Sequence, residues 1–262
     1  MAYRRSIVSM KSETMNATTE PNGATTTSPE QAAQWLQQGK LLAYPTESVW
    51  GIGCDAYNQQ AVEQILTIKN RPSEKGMIVV TDSIERIRPL LQQLPQSRQQ
   101  QIIASWSTRA SEDNAAHTQQ AHTWLLPLKT AEFSATTEAD NEDTNTQDIG
   151  AQKANASKAH DPHQPGIDAL VPYWITGKHD SIAVRVIAHP LIAQLCQQMV
   201  SSTNPYGLVV STSCNPSGDS PAKSFEQAYA YFGQDIAYLQ GETLGYVLPS
   251  QISDASSGQV IR

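Results

Sequence analysis

Two short clusters carry the side chains best suited to chemistry. In Lys69-Asn70-Arg71-Pro72 two cations stand two residues apart. Pro72 biases Arg71 away from helical geometry, so the pair is expected on a turn just past a helix end. A compact ammonium beside a planar guanidinium fork suits a triphosphate, although an ordinary basic helix C-terminus has the same composition. The second cluster, Ser211-Thr212-Ser213-Cys214-Asn215, sets three hydroxyls and an amide directly after the apolar run Gly207-Leu208-Val209-Val210. The carboxyl end of a buried strand is where open α/β sheets hold ligands. Hydroxyls, Asn and turn N–H groups there can hold phosphate oxygens or the waters around a metal ion. A plain Ser/Asn turn is the alternative. A third segment, Tyr44-Pro45-Thr46-Glu47-Ser48-Val49-Trp50-Gly51, also follows an apolar run and can face the same mouth. Glu47 taken alone reads as a turn or ion-pair residue.

Other signatures are weaker or missing. Gly51-Ile52-Gly53-Cys54-Asp55-Ala56 fits GxGxxA, but its glycines do not directly follow the strand and no helix starts on them. The sequence holds no Walker GxxxxGK(S/T), no GxSxG elbow and no HExxH. Cys54, Cys196 and Cys214 are isolated and odd in number, which argues against a disulfide frame or a cysteine zinc site and for a reducing compartment. His117, His122, His160 and His163 lie in or beside acidic polar stretches, and direct metal ligation by side chains is not expected. Positioning and charge stabilisation, rather than covalent catalysis, is the chemistry that remains.

The elements that must position these residues can be read from caps and periodicity. Ser28-Pro29-Glu30-Gln31 is a capping box with proline at the first helical position, and its helix should stop at Gly39. Leu41 to Tyr44 reads as a buried strand. Asn58 can cap a helix that carries Val62, Ile65 and Leu66 inward and ends near Lys69. Met77 to Val80 reads as a strand, and Ser83 to Leu91 and Gln96 to Ser105 as helices. Thr123 to Leu128 reads as a strand, as does the alternating run Ser181 to Val186. His189-Pro190 opens a helix to Met199, Gly207 to Ser211 is a buried strand, and Ser224 to Gln227 caps a helix that ends at Gly233. Short strands are expected near Ile236, Tyr246, Ile252 and Val260. Alternating strands and helices imply one α/β domain with a twisted mixed sheet flanked by helices.

Composition divides the chain further. Only 39% of the 262 residues are hydrophobic, so part of the chain is not core. Residues 1–28 read as a flexible tail and residues 29–262 as a catalytic domain. That domain is interrupted by low-complexity acidic loops at about 107–121 and 130–168. Residues 107–168 hold ten acids against four Lys/Arg, a charge of −6 out of the net −7, and residues 1–28 carry +1. The remaining body is therefore near neutral at −2, which argues against broad non-specific RNA binding while leaving a local RNA contact open. No apolar run approaches the ~18 residues of a membrane helix, and the start does not read as a secretory signal. A cytoplasmic protein is expected.

These segments, in this order, resemble the YrdC-type threonylcarbamoyl-AMP synthases. Tyr44 to Gly53 is similar to that family's PTET-VYGLG segment. Lys69-Asn70-Arg71 with Ser213-Cys214-Asn215 resembles its KxR…SxN signature, with cysteine in place of the usual alanine. Ser181 to Val186 with His189-Pro190, Lys75-Gly76-Met77-Ile78-Val79 and the Leu248-Pro249-Ser250…Asp254…Ile261-Arg262 segment complete the pattern. The short bacterial form is the better match.

The resemblance implies that L-threonine, bicarbonate or CO2, and ATP give threonylcarbamoyl-AMP and pyrophosphate. Mg²⁺ would be carried by the ATP phosphates. Downstream tRNA threonylcarbamoyl-transfer proteins would pass the group to the adenosine beside the anticodon. It also assigns roles. Thr46, Arg185 and Ser250 would hold threonine or its carbamate. Lys69, Arg71, Ser211, Ser213 and Asn215 would hold the phosphates. Thr123 and Arg262 would complete the ATP site. The family's PGPxT segment reads here as Gln119-Gln120-Ala121-His122-Thr123, a departure that bears on Thr123. The alternatives are an RNA-binding or ribosome-maturation module of the same fold, and a carbamoyl-phosphate-dependent maturation factor. The latter would bring acylphosphatase and zinc-finger segments that are not seen here.

Overall fold

The Ser28 hydroxyl accepts the Gln31 N–H and starts the first helix, with Pro29 at its first position. The structure is a computed structural model and describes residues 24–107, 119–128 and 171–262. The expected tail over residues 1–23 and most of both acidic stretches lie outside those residues. In chain order the elements are β1 (Thr25–Thr26), α1 (Pro29–Gln37), β2 (Leu42–Pro45), β3 (Trp50–Gly53), α2 (Gln59–Ile68), β4 (Ile78–Thr81), α3 (Arg88–Leu91), α4 (Gln96–Ser107), β5 (His122–Pro127), α5 (Tyr173–Thr176), β6 (Ser181–Val186), α6 (Pro190–Gln198), β7 (Val209–Val210), β8 (Thr212–Ser213), α7 (Phe225–Phe232), β9 (Ala237–Leu239) and β10 (Gln251–Asp254).

The α/β class and the mixed pairing expected from the sequence stand, and the strands divide between two five-stranded sheets. One has the order β1-β9-β2-β3-β8 and the other β10-β5-β6-β4-β7. Residues 24–28 depart from the expected tail, because Thr25 and Thr26 pair in parallel with Tyr238 and Leu239 of β9. The expected strand at Tyr246 does not form; its N–H donates to the Glu47 carbonyl from irregular backbone. Val260 makes only an isolated bridge to Ser253.

The two sheets meet at one stretch of chain. Val209 and Val210 pair with Val80 and Val79 of β4, and two residues later Thr212 and Ser213 pair with Ile52 and Gly51 of β3. Ser211 sits at the changeover and donates its N–H to the Ile78 carbonyl at 2.9 Å. A large apolar core that includes Trp50, Ile52, Ile65, Val79, Leu126, Val184 and Val210 fills the space behind this corner. A second core, with Leu36, Leu42, Ile192 and Leu195, packs α1 and α6 on the other side. No described helix is long and apolar enough to cross a membrane.

Candidate active site

A cleft of about 530 Å³ opens between the β2–β3 hairpin and one face of the second sheet. That volume lies within the usual range of small-molecule sites. The period of two along β6 decides which side chains reach it. Ser181, Ala183 and Arg185 line the cleft, while Ile182 and Val184 turn into the core. Ile78 of β4, Leu125 of β5 and Ile252 of β10 extend the same face. The hairpin turn supplies Thr46, Ser48 and Val49. It is held by Thr46 N–H to the Val49 carbonyl at 3.0 Å and by the Thr46 hydroxyl to the same oxygen at 2.7 Å. Ser211 and Ser213 reach the cleft from the corner strand.

The two cations of the first cluster are separated by a helix ending. Asn58 caps α2 through its side-chain oxygen and the Ala61 N–H. At the far end Asn70 takes the left-handed conformation, φ 43°. Its N–H bonds the Thr67 carbonyl and the Arg71 N–H bonds the Leu66 carbonyl. This is a Schellman ending with asparagine where glycine is usual. It sends Lys69 and Arg71 to different partners. Arg71 lines the cleft, with Nε and Nη2 donating to the Gly76 carbonyl at 3.2 and 2.9 Å and Nη2 also reaching the Lys75 carbonyl at 3.2 Å.

Lys69 does not reach the cleft wall. Its ammonium donates to the Ser213 carbonyl at 2.9 Å, the Asn215 carbonyl at 2.6 Å and Asn215 Oδ1 at 3.0 Å. The Asn215 amide in turn donates to the carbonyls of Pro216 (2.7 Å) and Asp219 (2.8 Å). Both residues, expected to face phosphates, are therefore committed to shaping the loop that presents Ser213. Burial is the main cause that holds the Lys69 ammonium below its usual range; Cys214 opposes the shift and the Arg71 charge adds to it. Lys69→Met keeps the stem and removes the three donors. It is expected to cost about 2 kcal/mol or more, because half-buried acceptors lose a charged partner, and to cut activity along with stability. Parallel denaturant titrations and rate measurements check this; a large activity loss at unchanged stability would instead place the ammonium on substrate.

Thr123 also departs from expectation. It shares a strand face with cleft-lining Leu125, but it is fully buried and its hydroxyl has no partner. It does not line the cleft. Ser250 and Arg262 do, and Arg262 Nη2 lies 3.5 Å from the Ser250 hydroxyl.

Charge is distributed unevenly around this cleft. Arg71, Lys75, Arg185 and Arg262 line it, and no acid lines it among the described residues. Desolvation, with the Arg262 charge in second place, lowers the Arg71 pKa from its ordinary value. An anion between the two guanidiniums would relieve that repulsion. Arg185 differs, since its Nη1 stands 3.3 Å from Glu47 Oε2 behind the cleft wall. Glu47 is 1% exposed, and its Oε1 accepts the Ala188 N–H at 2.9 Å. The ion-pair reading of Glu47 fits its position. The sequence reading did not assign Lys75, His179, Ser181 or Ala183 to the site, although all four line the cleft. The alternation of β6 carried the signal for Ser181 and Ala183, because they stand four and two residues before Arg185.

The family model Sua5/YciO/YrdC, described as "Telomere recombination", matches residues 34–110 and 163–262. A threonylcarbamoyl-AMP synthase of Psychrobacter arcticus is 52% identical over 239 residues, which cover 88% of this chain and 94% of that protein. One from Acinetobacter baumannii is 40% identical over 237 residues, covering 90% and 98%. The crystal structure of P. abyssi Sua5 complexed with L-threonine superposes with a TM-score of 0.57 at 24% identity, over 86% of this chain. The chain spans about half the length of that structure (50%), and the likeness bears on the fold.

Proposed function

From its membership of the Sua5/YciO/YrdC family, to which this chain belongs, we infer that the protein is a threonylcarbamoyl-AMP synthase. The single observation that carries the reading beyond membership is the cleft itself. Its size suits small molecules, its wall holds four Lys/Arg side chains and no acid among the described residues, and the buried Glu47 behind it is paired to Arg185. Such a site receives two anions, and the reaction joins two anions.

In the proposed reaction the neutral amine of L-threonine adds to CO2 and loses a proton, or condenses with bicarbonate and loses water, to give a carbamate. A carbamate oxygen attacks the α-phosphorus of ATP, the bond to the β-phosphate oxygen breaks, and pyrophosphate leaves. The carbamate is short-lived in water, so the site must hold it in line. Arg185 is assigned to the threonine carboxylate or carbamate. Arg71, Lys75 and Arg262 are assigned to the triphosphate, where charge moves onto the leaving pyrophosphate. Ser211 and Ser213 supply hydroxyls beside it. A Mg²⁺ carried on the phosphates would neutralise phosphate charge, with the Ser211 and Ser213 hydroxyls at the cleft available to its waters. Transfer of the product to tRNA by separate proteins, and a cytoplasmic location, belong to the same proposal.

Pyrophosphate release with MgATP, threonine and bicarbonate tests it. Release is expected to fall to background when either threonine or bicarbonate is withheld. Release indifferent to both would overturn the assignment.

A further inference from the structure

Glu47 is a costly residue to keep where it is. A carboxylate 1% exposed loses most of its hydration, and burying a charge is tolerated only with close compensation. Its compensation is the Ala188 N–H on Oε1 and the Arg185 guanidinium 3.3 Å from Oε2. The second contact is an ion pair without hydrogen-bond geometry, since neither Glu47 Oε2 nor Arg185 Nε has a hydrogen-bond partner in the protein, and both are buried. The hairpin turn that carries Glu47 is braced from outside by Leu244 N–H to the Thr46 carbonyl (3.2 Å) and Tyr246 N–H to the Glu47 carbonyl (2.9 Å). The carboxylate is thus fixed on a frame that Arg185 does not share.

The consequence is an asymmetric cleft. Arg71 and Arg262 both line the cleft, with no acid among its described lining residues. At Arg185 one cation already has a buried counter-charge behind it. A polyanion gains most at the first place and meets like charge at the second, whereas a group with one negative charge can still pair with the Arg185 donors. We propose that Glu47 is a positioning residue that holds Arg185 and reserves its end of the cleft for a monoanion, so that the triphosphate and the amino acid cannot exchange places. The proposal rests on the functional reading above and concerns how that site sorts its two substrates.

Glu47→Gln keeps the acceptor for Ala188 and removes the charge. In the wild type, tripolyphosphate is expected to compete with ATP and not with threonine. In Glu47→Gln it is expected to compete with threonine as well, with affinity at that end gained by about tenfold or more, while the KM for threonine rises. Glu47→Asp retains the charge and is expected to keep tripolyphosphate out, even if its threonine KM changes; it serves also if the glutamine variant fails to fold. In an Arg185→Ala background the glutamine change should add little, because its effect runs through Arg185. Unchanged competition in Glu47→Gln, equal competition in Glu47→Asp, or additive losses in the double variant would each overturn the proposal. A wild type that releases no pyrophosphate with threonine would instead overturn the functional reading.

Discussion

Arg71→Ala is expected to lower threonine-dependent pyrophosphate release by about 10²- to 10³-fold, the usual loss when one preorganised donor to a developing anion is removed. The guanidinium is aimed by its surroundings. Asn70, in the left-handed conformation, turns the chain out of α2, and the carbonyls of Gly76 and Lys75 then take Nε and Nη2. Side-chain entropy is spent in folding and not at the moment of reaction. Burial, with the Arg262 charge in second place, lowers the Arg71 pKa, and a bound anion would ease both effects. Arg71→Lys should recover little, because an ammonium cannot reproduce the planar fork that spans two carbonyls and a ligand at once. Steady-state rates, with circular dichroism as the check on folding, measure the effect. A loss of less than about threefold would remove Arg71 from the triphosphate subsite.

The second large effect concerns stability and falls on Gly53. A Cβ at this position would stand 1.9 Å from the Val210 carbonyl oxygen and 2.7 Å from the Tyr44 hydroxyl. The carbonyl is backbone in the corner strand and also accepts the Tyr44 hydroxyl at 3.1 Å, so it has nowhere to retreat. Gly53→Ala is expected to cost about 3 kcal/mol or more, at the top of the usual overpacking range. It should lower Tm by about 6–12 °C for a chain of this size. Gly51→Ala should be milder, since its nearest neighbours are the Tyr44 ring at 3.1 Å and the Thr46 methyl at 3.2 Å. Thermal and denaturant unfolding of the two variants side by side would show the order; equal stability would mean that β3 relaxes freely.

These glycines also show why part of the molecule was readable in the sequence and part was not. Helix starts were legible because their determinants are local: Ser28, Asn58 and Ser224 each accept an N–H three residues on. Gly39 and Gly233, both at positive φ, stop α1 and α7 as expected. β6 was legible because one of its faces is core and the other is cleft. β3 was not, because Gly51 and Gly53 dilute the strand propensity of Trp50 and Ile52, and its strand is set by pairing with β2 and with β8 far along the chain. The GxGxxA pattern there belongs to close packing rather than to a dinucleotide turn.

The site shows the same division. The residue types in KxR and SxN were informative, but Lys69 meets the Ser213 carbonyl across 144 residues of sequence. No local signal says whether an ammonium at that range reaches a ligand or its own loop. Thr123 was misplaced for a related reason, since the strand position was read correctly while the cover over its hydroxyl comes from elsewhere in the fold. The pairing of Thr25 and Thr26 with β9 depends likewise on a partner more than two hundred residues away.

The chain from Val209 to Ser213 serves both sheets, and this gives the cleft the mechanics of a book. The spine is the stretch where Val210 N–H bonds the Cys54 carbonyl on one side and Ser211 N–H bonds the Ile78 carbonyl on the other. Spreading the pages at the spine would break backbone bonds of both sheets together. The fore-edge is different, because Arg262 there is an exposed side chain and, among the described residues, its backbone is fastened to Ile252 alone. Breathing is expected at that edge rather than at the spine, so the guanidinium proposed to meet the nucleotide would also stand where the product is proposed to leave.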